Sequence, residues 1–261
     1  MSNQLKRIIT GIIGIPVLIF IFYYGGIFFF IFSLLVTSLA LWELFSMFEK
    51  KSFYPLKISG IVLSSVLQLI FYFYFREVFV LLILIFLILI SAEVFRKEKV
   101  NPLNPVIVLF GLVYITIPFI LLGSMSEYSK LNPVIYIFVL IWTCDSAAYF
   151  GGKYTGRHKL SSISPNKTIE GSVIGFLFTL IVSIVIHLIF PSDLNLRDAI
   201  VIGILVGVFS QIGDLFESLI KRYFGVKDSS GIIPGHGGVL DRFDSVIFVA
   251  PLVFIYFKYF S

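Results

Sequence analysis

The chain has 261 residues, 58% of them hydrophobic and 13% charged, with a mean hydropathy of +1.02. Soluble domains carry about 25% charged residues, so this composition excludes a water-soluble globular protein and points to a polytopic membrane protein. The formal net charge of +5 is spread over several short loops, which argues against nucleic acid as a partner and for the headgroups of membrane lipids.

Lys6 and Arg7 precede the first apolar run, 8–24. That order resembles a secretory leader, but Tyr23-Tyr24-Gly25-Gly26 offers no small-x-small cleavage site and a second run, 27–46, follows at once, so the segment reads as a retained helix. Further runs lie at 57–75, 77–92, 104–123, 132–150, 170–190, 198–220 and 245–260. At about 20 residues per crossing they predict an all-α polytopic integral membrane protein with about nine transmembrane helices. The 77–92 run is short, and Pro118 and internal glycines are positions for kinks.

No acid–base constellation interrupts residues 1–123. Glu43 and Glu93 lie near run ends, where a carboxylate reaches the interface or else takes a structural hydrogen bond. Residues 1–125 therefore read as supporting transmembrane helices, and 126–261 as the region that carries chemistry, with cytoplasmic loops 151–169 and 221–243. With the N-terminus inside, sixteen of the twenty Lys and Arg fall on inner segments, leaving Arg76, Lys130, Arg197 and Lys258 outside. This positive-inside bias sets the orientation and places the C-terminus outside. The single cysteine, Cys144, excludes an intrachain disulfide and reads as a small packed residue.

The polar positions gather in the second half. Asp145 sits near the cytoplasmic end of its run; such a residue serves either a proton or ion path or a helix–helix hydrogen bond. Ser164-Pro165-Asn166-Lys167-Thr168 precedes the next run, with Thr168 as a candidate N-cap, while Lys167 and Thr168 also stand where a phosphate could be held. Lys153, Arg157 and Lys159 read equally well as orientation determinants. Ser210, Asp214, Ser218 and Lys221 share one helical face, and Asp214 and Glu217 are three apart. Asp241 and Asp244 are also three apart, a spacing that suits Mg²⁺ or, equally, an ion-pair network with Lys221, Arg222 and Arg242. Between them Gly225, Gly231, Gly235, Gly237 and Gly238 accompany Pro234 in a segment too irregular for one helix. Its backbone N–H groups can form an anion nest, with Lys227 and Arg242 adding charge. His236 there either stabilises a turn or contacts phosphate or nucleotide. The three histidines lack zinc spacing, and neither a P-loop nor a dinucleotide fingerprint is present.

The stretch from Ser218 to Asp244 resembles the C-terminal signature of the phosphatidate cytidylyltransferases (CDP-diacylglycerol synthases). Ser218, Lys221, Arg222, Lys227, Asp228, His236, Gly237, Gly238, Asp241, Arg242 and Asp244 fill its specified positions. The similarity extends upstream to Cys144–Tyr149, Gly151-Gly152-Lys153 and Ser164–Gly171, with Asn166 standing where the family more often has lysine.

This resemblance implies transfer of CMP from CTP to phosphatidate, releasing pyrophosphate, at the cell inner (cytoplasmic) membrane. It implies Asp145, Asp214, Lys227, Asp241 and Asp244 as catalytic residues, with Mg²⁺ on Asp214, Asp241 and Asp244. Lys167, Thr168, Ser218, Lys221, Arg222, Asp228, His236, Gly237, Gly238 and Arg242 would bind substrate. A second, monovalent cation and a homodimer are further implications. The alternatives are another membrane CTP-dependent enzyme, such as an archaeal-type lipid cytidylyltransferase or a polyprenol kinase, and a cation transporter. A transporter would explain Asp145 and Asp214 but not the basic glycine-bearing loop.

Overall fold

Hydrocarbon offers no partner to a backbone N–H or C=O, so apolar runs of this length are driven into helices that satisfy those groups internally. A computed structural model describes residues 3–73, 78–125, 131–233, 235 and 237–261. Among the described residues there are two isolated bridges and no strand. The helices are α1 (Asn3–Tyr24), α2 (Gly26–Glu49), α3 (Lys57–Phe73), α4 (Val78–Val94), α5 (Leu103–Ser124), α6 (Pro133–Thr155), α7 (Ile169–Ile189), α8 (Leu196–Tyr223) and α9 (Leu240–Tyr259). Each expected apolar run thus forms a helix; the expected boundaries at 75 and 77 fall outside the described residues.

Five of these helices, α2, α5, α6, α7 and α8, are long and apolar enough to cross a bilayer, and the protein is a multi-pass membrane protein. Helix α9 opens with Asp241, Arg242 and Asp244, so its apolar run starts only at Ser245. Helices also extend past the apolar runs into both expected loops. Lys153 lies in the last turn of α6 and Lys221 and Arg222 in that of α8, while Glu170 and Asp241 lie in the first turns of α7 and α9. Each charge complements the helix dipole at its end, which favours continuing the helix to include it.

Local breaks have local causes. Gly25 (φ +55) and Gly26 (φ +48) turn the chain between α1 and α2 without an intervening loop. Within α5, residues Leu112–Thr116 form a π-helical turn that ends two residues before Pro118. Proline has no N–H to give the carbonyl four residues back, and the wider turn relieves the clash of its ring with that carbonyl.

The chain divides into two units, Met1–Ile120 with Tyr223–Arg242, and Leu121–Arg222 with Phe243–Ser261. In the first, the fully buried Phe45 of α2 fills a slot left by Gly60 and Gly111; a Cβ on either would come within 2.9 and 2.8 Å of its ring. Below it, Ser33 Oγ donates to Gln68 Oε1 (2.6 Å), Gln68 Nε2 donates to Thr37 Oγ1 (2.9 Å) and Ser64 pairs with Thr116 (2.8 Å). These buried hydroxyls and the amide link α2, α3 and α5 where lipid could not solvate them.

In the second unit small residues let neighbouring helices approach. Gly171 and Gly175 of α7 lie against Ala148, Gly152 and the Cys144 carbonyl of α6, and Gly207 of α8 lies on Phe176 of α7. Gly213 of α8 meets the Asp244 carbonyl, Ser245 and Phe248 of α9. Ser245 Oγ donates to the Ser210 carbonyl at 3.1 Å, and at the other end of the pair Tyr256 donates to Asp198 at 2.7 Å. A Cβ at Gly171 would stand 2.6 Å from the Ala148 oxygen and 2.9 Å from Gly152, all backbone atoms that cannot move aside cheaply. Gly171→Ala is therefore expected to destabilise the protein by about 1–3 kcal/mol, read as a lowered Tm in detergent. Gly14→Ala, whose added Cβ meets nothing within 4 Å, is expected to leave Tm unchanged or raised.

Candidate active site

Helix α8 carries the polar face expected of it. Ser210, Ser218 and Lys221 are buried and Asp214 is half-buried. Lys221 Nζ lies 2.5 Å from Glu217 Oε2 one turn earlier, an ion pair whose carboxylate has no exposed surface. An isolated carboxylate at that depth would be strongly disfavoured, so the lysine and the glutamate are kept together.

The second basic residue reaches α8 from the connection before α7. Lys167 forms an ion pair with Asp214 Oδ2, and Ser218 Oγ stands 3.4 Å from Asp214 Oδ1. The connection holds Lys167 by a short clasp: Leu160 N–H donates to the Lys167 carbonyl (2.8 Å), and Ile169 N–H to that of His158 (2.9 Å). Glu170 closes it, accepting from the N–H groups of Arg157 (3.0 Å) and His158 (3.2 Å) and facing His158 Nδ1 at 2.6 Å. Thr168 Oγ1 accepts from Gly171 N–H at 3.1 Å, so it caps α7 as its sequence position suggested.

Three carboxylates of this unit share one electrostatic neighbourhood. Asp244, buried at the start of α9, feels the charges of Asp214 and Asp145, with Lys221 opposing them. Ser245 N–H donates to Asp244 Oδ1 at 2.6 Å, while Asp145 is exposed on α6. Among the described residues no group of three or more His, Cys, Asp or Glu forms a ready-made metal shell. Carboxylate oxygens are the donors that Mg²⁺ takes, one or two at a time, with waters and substrate phosphates completing its octahedron.

The glycine-bearing segment belongs to the first unit, and α2 is its platform. At one end Phe224 packs on Phe48 (ring centroids 4.7 Å apart) and Lys51 Nζ lies 3.8 Å from the centre of the Tyr223 ring. At the other, Glu43, 1% exposed, accepts from Ser229 Oγ (2.9 Å), Ser230 Oγ (2.5 Å), Val239 N–H (2.9 Å) and Leu240 N–H (2.8 Å). Asp241 Oδ2 accepts from Ser229 N–H and Gly238 N–H at 2.9 and 2.8 Å, with Ser229 Oγ also 2.9 Å away. Gly237 adopts φ +82, and a Cβ at Gly238 would lie 1.9 Å from Ser229 Oγ, so neither position accepts a side chain. Lys227, Asp228 and Arg242 are exposed on this segment, as is Arg222 at the end of α8. His236 lies outside the described residues.

Glu43 is the residue that sequence reasoning undervalued. It is not an interfacial carboxylate: it turns inward with Ala40, Leu44 and Met47, all buried. The signal was a charge inside an apolar run with no neighbour to compensate it. Glu93 behaves alike, accepting from Asn101 N–H (2.8 Å) and Asn104 Nδ2 (2.7 Å) to tie down the turn between α4 and α5.

Among the described residues the chain is an all-helical membrane protein with lysines paired to carboxylates and a glycine-bearing segment bound to two buried carboxylates. A profile of the cytidylyltransferase family matches residues 5–260. A phosphatidate cytidylyltransferase of Staphylococcus saprophyticus is 37% identical over 254 residues, covering 95% of this chain and 96% of that protein. Its namesake in Bacillus subtilis is 33% identical over 272 residues, covering 100% of both. The chain belongs to the cytidylyltransferase family.

The Lys167–Asp214 pair is testable without reference to turnover. Both side chains are about one-third exposed (31% and 32%), so solvent screens them. A double-mutant cycle with Lys167→Met and Asp214→Asn is expected to give a coupling of about 0.5–1 kcal/mol in unfolding free energy. Strict additivity would mean that the pair does not form in solution.

Proposed function

We propose that this protein is a phosphatidate cytidylyltransferase, converting CTP and phosphatidate to CDP-diacylglycerol and pyrophosphate in phospholipid biosynthesis. The observation that carries the reading is Lys167 held against Asp214 by the clasp before α7, within the charge neighbourhood of Asp145 and Asp244. A cation and carboxylates so arranged can exchange partners when phosphates arrive: the ammonium moves to a phosphate oxygen, and the carboxylates become available to a divalent cation.

In the reaction a phosphate oxygen of the lipid bonds to the α-phosphorus of CTP as the bond from that phosphorus to the pyrophosphate oxygen breaks. The nucleophile is already ionised at neutral pH, so no general base is required. Mg²⁺ held by Asp214 and Asp244 would neutralise the developing charge on the leaving pyrophosphate, with Asp241 included in the set by the family resemblance alone. Lys167, Lys227 and Arg242 orient phosphates, with Arg222, Lys221, Ser218 and Thr168 nearby in sequence to the same purpose. The Gly237-Gly238 turn, whose neighbouring amides hold Asp241 and Glu43, shapes the substrate-binding segment, and Asp228 and His236 complete the set. A phosphate nucleophile on a diacyl lipid suits residues at helix ends, because the acyl chains then stay in hydrocarbon.

The same reading includes nine crossings, the N-terminus and both polar connections on the cytoplasmic side of the inner membrane, a homodimer and a second, monovalent cation. Residues 126–261 carry the chemistry and 1–125 support it. Topology is checked by thiol labelling on a Cys144→Ser background. Lys159→Cys is expected to label only from the cytoplasmic side and Leu196→Cys only from the other; labelling of both from one side would refute the orientation.

The reaction is checked by product formation from CTP and phosphatidate across a Mg²⁺ titration. The parent is expected to require a divalent cation, and Asp214→Asn and Asp244→Asn to lose at least about 100-fold in kcat while purifying folded. Metal-independent turnover in the parent would remove the metal from the mechanism. Product with another lipid, and none with phosphatidate, would transfer the function to a different acceptor.

A further inference from the structure

The first N–H groups of a helix have no acceptor within the helix, and the residue just before the helix normally supplies one from its side chain. Before α9 that residue is Val239, which has no acceptor to give. The N–H groups of Val239 and Leu240 go instead to the carboxylate of Glu43, a residue of α2. A negative charge at this place is favoured by the dipole of α9 as well as by the two bonds. The same carboxylate takes the hydroxyls of Ser229 and Ser230, so its four hydrogen bonds all come from the segment that ends in Asp241.

Ser229 carries the effect onward. Its N–H is bonded to Asp241 Oδ2, and its hydroxyl stands 2.9 Å from both Glu43 Oε2 and Asp241 Oδ2. That hydroxyl has one proton and serves one carboxylate at a time, whereas the N–H groups of Ser229 and Gly238 hold Asp241 throughout. Gly238 lets the two carboxylates close on the backbone, since a Cβ there would lie 2.6 Å from Glu43 Oε2. Stability alone does not call for an acid here: a buried charge is often replaced by apolar packing at no loss.

We infer that Glu43 is a positioning residue, which fixes Asp241 and the Gly237-Gly238 backbone by capping α9 from a different helix. The inference rests on the reading that Asp241 and this segment serve cytidylyl transfer. Glu43 touches no substrate; it determines where groups that do so stand.

The test uses full-length protein in lipid nanodiscs. Glu43→Gln keeps the volume but replaces one carboxylate oxygen by an NH₂ group, which cannot accept and faces one hydroxyl and one N–H donor. It is expected to lower kcat by about 10- to 100-fold, with the KM for CTP changed less than about threefold, because binding groups are displaced less critically than reacting ones. Amide exchange at Ser229, Gly238, Val239 and Leu240 should quicken about tenfold or more while that in the middle of α6 and α7 stays unchanged. Glu43→Asp should recover part of both effects. An unchanged kcat per folded enzyme, or unchanged exchange at those four amides, would overturn the inference. If Glu43→Gln does not fold, Ser230→Ala removes one donor and should shift both readouts less, in the same direction; no shift would again overturn it. A parent inactive on phosphatidate would defeat the proposed reaction, while faster exchange would still uphold the capping role.

Discussion

An ionised side chain taken into an apolar interior must be met there by charge or by hydrogen bonds, and this constraint organises the polar architecture of the protein. Glu217 is met by Lys221, Asp214 by Lys167, Asp198 by Tyr256, Asn195 and Ser261, Glu93 by Asn101 and Asn104, and Glu43 by two hydroxyls and two backbone N–H groups. These partners differ in kind, and the differences divide the roles. Neutral donors hold a carboxylate in place without competing for phosphate, so Glu43 and Asp198 act as fixings, while Glu93 also faces the Arg96 guanidinium at 3.4 Å. A lysine can exchange its carboxylate for another anion, and the Lys167–Asp214 and Lys221–Glu217 pairs are of that kind.

Close helix approach is the second condition. Glycines at 171, 175, 207 and 213 bring the helices of the second unit near enough for side chains on one to meet backbone on the next. In lipid no hydrophobic effect drives helices together, so contact area and interhelical hydrogen bonds must hold them. The Ser245 bond to the Ser210 carbonyl and the Gln211 amide bond to the Ser172 carbonyl, 3.1 Å each, are available only because the backbones are this close. The Lys167 clasp depends on the same seam, since Gly171 both receives the Thr168 cap and lies on α6.

Cytidylyl transfer asks for dense negative charge to be gathered at a membrane surface and released again. Ammonium groups that can change partners meet that need better than a proton-transfer apparatus would, because the nucleophile arrives ionised. The arrangement of lysines and carboxylates on α8 and before α7 is consistent with that demand.

Much of this could be read directly along the chain. Helical state and membrane character follow from apolar runs, because hydrocarbon leaves the backbone no other choice, and the motif from Ser218 to Asp244 pointed to the family. Thr168 as a cap was also visible, since capping involves residues only three apart. What folding decided was long-range. Helix α2 is apolar around its whole circumference, so no periodicity told which way Glu43 would turn, and its partners lie nearly two hundred residues away (186 to 197 positions). Lys167 and Asp214 are 47 apart, each plausible as a phosphate or metal ligand alone, and only the packing of α7 on α8 makes one the counterion of the other. Local rules specify elements, whereas compensation of a buried charge depends on which distant donor the fold brings within three ångströms.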